Sequence, residues 1–212
     1  MNTSTSQILF GYWNEVRGKR LAPRRFEIEP ARIGSVLPET FILERVEGSS
    51  YRFRLAGTRI IEALGFELRG SNFLDLWQDA DKHAIADMLA SLATQGSIGT
   101  LTFDALDGQG RRASFEAIML PLVHTAQVID RIVGSISCIN PPDWLGETRL
   151  QERILTSQSS IWPDGRPYAM LARGDGQAPF IAHTRGARLV RSERRQFRVY
   201  DGGLAKTETD ER

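Results

Sequence analysis

The hydrophobic period of this chain changes twice, and that grammar restricts the fold more than any other feature. Tyr51 to Ala56 alternates, with Tyr51, Phe53 and Leu55 on one side and Arg52 and Arg54 on the other. A period of two is that of a half-buried strand. Further on, Ile85, Met88, Leu89 and Leu92 recur at i, i+3, i+4, i+7, a spacing that a helix gathers onto one stripe. Alternation then returns three times. Leu101, Phe103 and Ala105 alternate with Thr100, Thr102 and Asp104, and Ala113, Phe115, Ala117 and Met119 with Ser114, Glu116, Ile118 and Leu120. Ile132, Gly134, Ile136 and Cys138 line one face of a last strand. Strands are therefore expected near residues 40–46, 51–56, 98–106, 111–121 and 129–139. Asn140-Pro141-Pro142-Asp143 ends the series, because tandem prolines cannot continue a ladder. Strands grouped by hairpins around a helical insert indicate an α+β fold: a five-stranded antiparallel sheet, with helical turns from residues 57–95 on one face. Regular strand–helix alternation is absent, which disfavours a doubly wound nucleotide fold.

The flanks divide the chain into an N-terminal helix and connector at 1–37, the α+β domain at 38–143, and a partly irregular C-terminal extension at 144–212. Residues 4–17 read as an amphipathic helix capped by Ser4 or Ser6, with Ile8, Leu9, Tyr12 and Val16 on one stripe and Trp13 beside it. Such a stripe is costly to leave wet. Leu9, Tyr12, Trp13 and Val16 are thus expected to form a homodimer interface, the alternative being that they cover their own sheet. In the extension, Trp144 to Ser157 is expected to be helical, with Leu145, Leu150 and Ile154 as its apolar positions. Arg185, Arg188, Arg191, Arg194, Arg195 and Arg198 stand against one acid, Glu193, and such a cluster can bind phosphates. It supports a rival function, a nucleic-acid-associated regulator. The net charge of +1 gives no general attraction to a polyanion, so nucleic acid is the disfavoured partner.

Several stretches are familiar. Tyr12-Trp13 through Arg24 to Pro30, Leu37-Pro38-Glu39-Thr40-Phe41-Ile42-Leu43-Glu44 and Tyr51-Arg52-Phe53-Arg54-Leu55-Ala56-Gly57-Thr58 are three of them. Leu68-Arg69-Gly70-Ser71-Asn72-Phe73-Leu74-Asp75-Leu76-Trp77 and Arg194-Arg195-Gln196-Phe197-Arg198-Val199-Tyr200-Asp201-Gly202-Gly203 are two more. Together they resemble a family of small stand-alone bacterial PAS-domain proteins of alphaproteobacterial type, formerly a domain of unknown function. The likeness covers residues 10–140 well and the remainder in patches. It implies a five-stranded antiparallel sheet cupping small helices. It also implies a sensory or interaction module of signal transduction, which binds a small ligand between sheet and helices or engages a signalling protein partner. Phe53, Phe66, Phe73, Trp77, Phe103 and Phe115 could line such a pocket or simply fill a core. Asn72 and Trp77 are the candidates for polar groups that orient a small apolar or aromatic ligand.

Catalytic motifs are missing: G-x-S-x-G, H-E-x-x-H, the P-loop and G-x-G-x-x-G do not occur. The residues near a carboxylate cluster, Asp75, Asp79 and Asp81, read as helix caps, and an unrecognised enzyme is kept only as an alternative. His83, His124 and His183 have no partner at ligand spacing, so no metal site is expected. Haem ligation by His83 is disfavoured, because a lone histidine is poor evidence for a cofactor. Covalent flavin photochemistry is disfavoured too. Arg69-Gly70-Ser71-Asn72-Phe73-Leu74 lacks a cysteine, and Cys138 reads as a small buried hydrophobe. One cysteine permits no internal disulfide. No apolar run is long enough for a membrane span and the N-terminus does not read as a signal peptide, so the chain is expected to be cytoplasmic. The sequence leaves any cofactor unknown.

Overall fold

A computed structural model describes residues 1–46, 50–124, 128–164, 189–191 and 198–200. The period switches appear in it as three helices, α1 (Ser4–Arg17), α2 (Thr58–Leu64) and α3 (Asp79–Gln95), and six long strands. The strands are β1 (Thr40–Arg45), β2 (Tyr51–Ala56), β3 (Ile98–Asp107), β4 (Arg112–Val123), β5 (Ile129–Ile139) and β6 (Leu150–Ile161). They form one sheet in the order β2-β1-β5-β4-β3-β6, every neighbouring pair antiparallel. Two short strands, β7 (Leu189–Arg191) and β8 (Arg198–Tyr200), pair antiparallel within a separate C-terminal unit, Gly174–Arg212. Gly65 and Gly96 end α2 and α3 in the left-handed region, at φ 77° and 66°.

The sixth strand corrects the expected helix at 144–157. Of its three apolar positions, Leu145 and Leu150 are five apart, off the helical stripe. The serines and threonines of this segment compete with the helix backbone. β3 offers a ladder instead, pairing ten residues with β6 from Ile98↔Ile161 to Asp107↔Leu150. The boundary drawn at residue 143 therefore leaves out a strand hydrogen-bonded to the sheet.

Both faces of the middle strands β4 and β5 are buried. On one face lie Phe53, Leu89, Phe103, Phe115 and Ile136, with the rest of a core closed by α2 and α3. On the other, Ile118, Leu120, Leu122 and Val133 meet Leu9, Tyr12 and Trp13 of α1 and Ile28, Ile33 and Val36 of the connector. Trp13 is fully buried and its Nε1 donates to the Pro121 carbonyl at 2.8 Å. The Tyr12 hydroxyl accepts from the Glu29 amide at 2.8 Å. Leu9, Tyr12 and Trp13 are thus spent on their own sheet and are not open to a second copy, while Val16 is half-buried beside them. The correction has a simple cause: β4 is apolar on both faces and needs a cover inside the chain.

Polar groups set the start of α1. The cap is Thr3 rather than Ser4 or Ser6. The Glu116 carboxylate, buried beneath the start of α1, accepts from the amides of Asn2 (2.5 Å) and Thr3 (3.0 Å) and from the Thr3 hydroxyl (2.9 Å). Burial pushes the Glu116 carboxyl up, and these donors outweigh it, leaving it below its ordinary value. A second local surprise is Leu55, 45% exposed despite its place on the alternating stripe. A bulge sets Ile42 opposite Leu55 but Leu43 opposite Phe53, so Arg54 is the extra residue and the alternation slips.

Two outcomes follow from this packing. Phe103→Ala, at a fully buried site, should lower unfolding free energy by about 3–5 kcal/mol in a urea titration. Glu116→Gln should cost about 1–3 kcal/mol at neutral pH, because an amide cannot accept from all of these donors. A carboxyl held below its unfolded value stabilises above that value and loses the effect as pH falls. The wild-type and Glu116→Gln stabilities should therefore converge on acidification, read by circular dichroism melts at stepped pH.

Candidate functional site

Residues from four parts of the chain meet beneath α2. This helix follows β2 directly and turns Ile60 and Leu64 into the core, leaving Arg59, Glu62 and Ala63 toward the end of the sheet. Phe115 of β4 and Ile136 and Cys138 of β5 rise from the sheet beneath it. The segment between β5 and β6 crosses back as a strap and contributes Pro141, Leu145 and Gly146. Glu39, in the single turn before β1, completes a cleft of about 300 Å³.

The walls are mostly apolar and the polar groups gather at the mouth. One Glu39 oxygen accepts from the Ser137 hydroxyl at 2.7 Å and from the Thr5 hydroxyl of α1. The other accepts from the Arg59 guanidinium at 3.3 Å. Burial pushes the Glu39 carboxyl up, but these hydrogen bonds prevail and hold it below its ordinary value. Arg59 is 63% exposed, so most of its donors remain available. Burial, with Glu39 nearby, pushes the Cys138 thiol up to about 11, so at neutral pH it is a protonated, weakly polar wall and not a nucleophile. The mouth thus offers fixed charge and hydrogen bonds, and neither Glu39 nor Cys138 is tuned to exchange a proton near neutrality.

An ion pair between the buried Asp107 carboxylate and the half-exposed Arg111 fastens the strap. Asp107, at the end of β3, accepts from Arg111 Nε at 2.7 Å, from the Thr148 hydroxyl at 3.0 Å, and from the amides of Gln109 and Arg111 at 2.9 Å each. Burial pushes its carboxyl up, and these donors more than reverse that, to about 2. The Arg111 guanidinium also lies 4.6 Å from the Trp144 ring centroid.

The PAS domain family model matches residues 1–137, from α1 through most of β5. The chain belongs to the PAS domain family. No curated protein matches it. Within this PAS domain the match takes in α1 as well as the sheet and its helices, and β6 lies beyond it.

Of the seven residues expected to bind a ligand, the PAS domain brings Phe115 to the cleft. Phe53, Phe73, Trp77, Phe103 and Phe115 instead form a continuous aromatic row, with successive centroids 5.8, 5.8, 5.0 and 5.3 Å apart. This row fills the core, and pairs at such distances attract beyond their area. The Trp77 indole N–H is buried with no hydrogen-bond partner. Asn72 is structural: its Oδ1 accepts from the Tyr51 amide at 3.0 Å and its Nδ2 donates to Asp75 at 3.3 Å. Phe66 lies half-buried under the guanidinium groups of Arg149 and Arg153. Sequence reasoning passed over Glu39 and Arg59. The available signal was an acid set directly before the apolar run of β1, and a basic residue at the start of a short helix.

Other candidate groups are dispersed. Asp79 and Asp81 lie in the first turn of α3, whose cap is Gln78, and Asp81 reaches across to the Leu155 amide at 3.0 Å. His83 is exposed on α3 beside Asp87. Among the described residues no group of three or more His, Cys, Asp or Glu could hold a metal ion, and no helix is long and apolar enough to cross a membrane. Arg191 and Arg198 pair through the backbone of β7 and β8, while Arg185, Arg188, Arg194 and Arg195 lie outside the described residues.

The strap gives a test of its own. Asp107→Asn should speed amide exchange across residues 141–149 at neutral pH, measured by mass spectrometry. The wild type should show the same loosening only when the pH falls below the ordinary aspartate value toward about 2, because a depressed carboxyl loses its stabilising effect from that side.

Proposed function

We propose that this PAS domain acts by binding and carries out no catalysis of its own. PAS domains are sensory and interaction modules. The finer reading is that the cleft beneath α2 takes one small, largely apolar or aromatic molecule, with Arg59 and Glu39 holding its polar end. The observation that carries this is the convergence of Phe115, Ile136 and Leu145 with that ion pair around about 300 Å³. Small-molecule sites combine an apolar wall with a few placed polar groups, and this volume stands at the lower end of their range. Occupancy would be passed to a signalling protein in the cytoplasm, a compartment that suits a chain with one cysteine.

Thermal shift with a panel of small aromatic and aliphatic acids and amines tests the reading. A binder at 100 times its Kd should stabilise the fold by about 2.7 kcal/mol. Ala63→Phe should fill the cleft and abolish the shift without lowering the unliganded melting temperature. Arg59→Ala should weaken acids more than amines. If no compound shifts the melt and mass spectrometry of the purified protein finds no retained small molecule, the ligand reading fails. A module that works through protein contacts alone then replaces it.

A further inference from the structure

Many arginines of this fold stand against an acid, among them Arg17, Arg20, Arg59, Arg111, Arg112 and Arg131. Others, such as Arg45 and Arg52, are exposed to water. Arg149 and Arg153 follow neither pattern, because they share one aromatic ring. The Arg149 guanidinium carbon lies 4.6 Å from the Phe66 ring centroid, and that of Arg153 lies 5.6 Å from it. Neither guanidinium meets a carboxylate among the described residues.

The fold builds this arrangement from the end of α2 and the start of β6. Phe66 follows Gly65, the left-handed cap of α2. A Cβ at Gly65 would stand 2.6 Å from the Arg149 Cα, so the glycine lets the chain at Arg149 close on the helix end. Arg153 is half-buried and donates to the carbonyls of Leu76, Leu150 (3.1 Å) and Gln151 (3.3 Å). A guanidinium has five N–H donors, so Arg153 is held in place and still has donors to offer. Arg149 is exposed, and none of its donors is taken by a described residue. Burial, with the Arg149 charge beside it, pushes Arg153 below its ordinary value. The acid next to the ring in sequence, Glu67, is taken by the amides of Leu68 and Arg69 at 3.0 and 2.9 Å. Two like charges thus meet at one ring, one of them partly out of water.

We propose that Phe66, Arg149 and Arg153 form a binding site for a phosphate group, free or carried as a monoester on a small molecule. Charge selects this ligand. A phosphate monoester carries close to two negative charges at neutral pH, the number that two guanidiniums balance. A carboxylate balances only one. Shape agrees, because the planar N–H fork of arginine grips phosphate oxygens through paired hydrogen bonds. The ring seats both forks, and a guanidinium on an aromatic face keeps its N–H edge for a second partner. The site shares no residue with the cleft beneath α2, so it is separate from the ligand site proposed above. Arg149 and Arg153 also lie outside residues 1–137, the stretch that the PAS domain family model matches. The site therefore depends on the part of the chain beyond that match.

Isothermal titration calorimetry of the full chain tests this, at low ionic strength and about pH 8, where phosphate monoesters are dianions. The probes are inorganic phosphate, phenyl phosphate, dimethyl phosphate and acetate. The first two should bind saturably, and the two singly charged probes about tenfold or more weakly. Phenyl phosphate binding the tighter of the first two supports a phosphate ester as the ligand, and the reverse order supports free phosphate. Arg149→Ala should lose about tenfold or more of the phosphate affinity. Circular dichroism should show it folded, since Arg149 is exposed. Arg153→Lys keeps the charge without the fork and should weaken phosphate severalfold. Arg52→Ala removes an exposed charge elsewhere and should leave phosphate affinity unchanged. A wild type that binds neither dianion would overturn the proposal. So would an Arg149→Ala chain that binds phosphate as well as the wild type, or acetate that binds as tightly as phosphate. An equal loss in Arg52→Ala would reduce the effect to net charge and overturn the site.

Discussion

β4 meets water on neither face, and most of the structure answers that constraint. Ala113, Phe115, Ala117 and Met119 need one apolar cover, and Ile118, Leu120 and Leu122 need another on the opposite side. α2 and α3 provide the first and α1 with its connector the second. At about 25 cal/mol per Å² of buried apolar surface, leaving either side wet would cost more than a domain of this size can spare. Pro121 shows how closely the pieces fit. The β3 ladder ends at Met119, and the carbonyl of Pro121 serves Trp13.

The sheet and the two inner helices were readable because burial there has one side per strand. Phe103 and Leu89 declare their faces by spacing alone. β4 was only half readable, since Glu116 looks like a solvated residue until the N-terminus of α1 is laid over it. The same blindness misplaced the α1 stripe. Periodicity shows that Leu9 and Trp13 must be covered but not which surface covers them. β6 was missed for another reason. Its pattern is weak in both periods, and what makes it a strand is the open edge of β3, a partner that local pattern does not contain.

The candidate cleft was the least legible part, because its chemistry is a meeting of distant single residues. Aromatic side chains draw attention in a sequence, yet here they pack against one another in the core. The cleft walls are Ala63, Ile136, Cys138 and Leu145, ordinary residues made notable by the space they leave. Glu39 illustrates how compact the arrangement is. A single carboxylate joins α1 through Thr5, β5 through Ser137 and α2 through Arg59, so the cleft mouth and the outer helix share one anchor.

The span between α1 and its seat has a consequence during synthesis. Trp13 and Pro121 are 108 residues apart, and Thr3 and Glu116 are 113 apart. At about 5–20 residues per second, α1 leaves the ribosome roughly 5–20 seconds before its surface exists. Its apolar stripe spends that interval uncovered, at the moment when chaperones meet nascent chains. The helix that seals the outer face is thus made long before its seat, and its docking waits on the synthesis of β4.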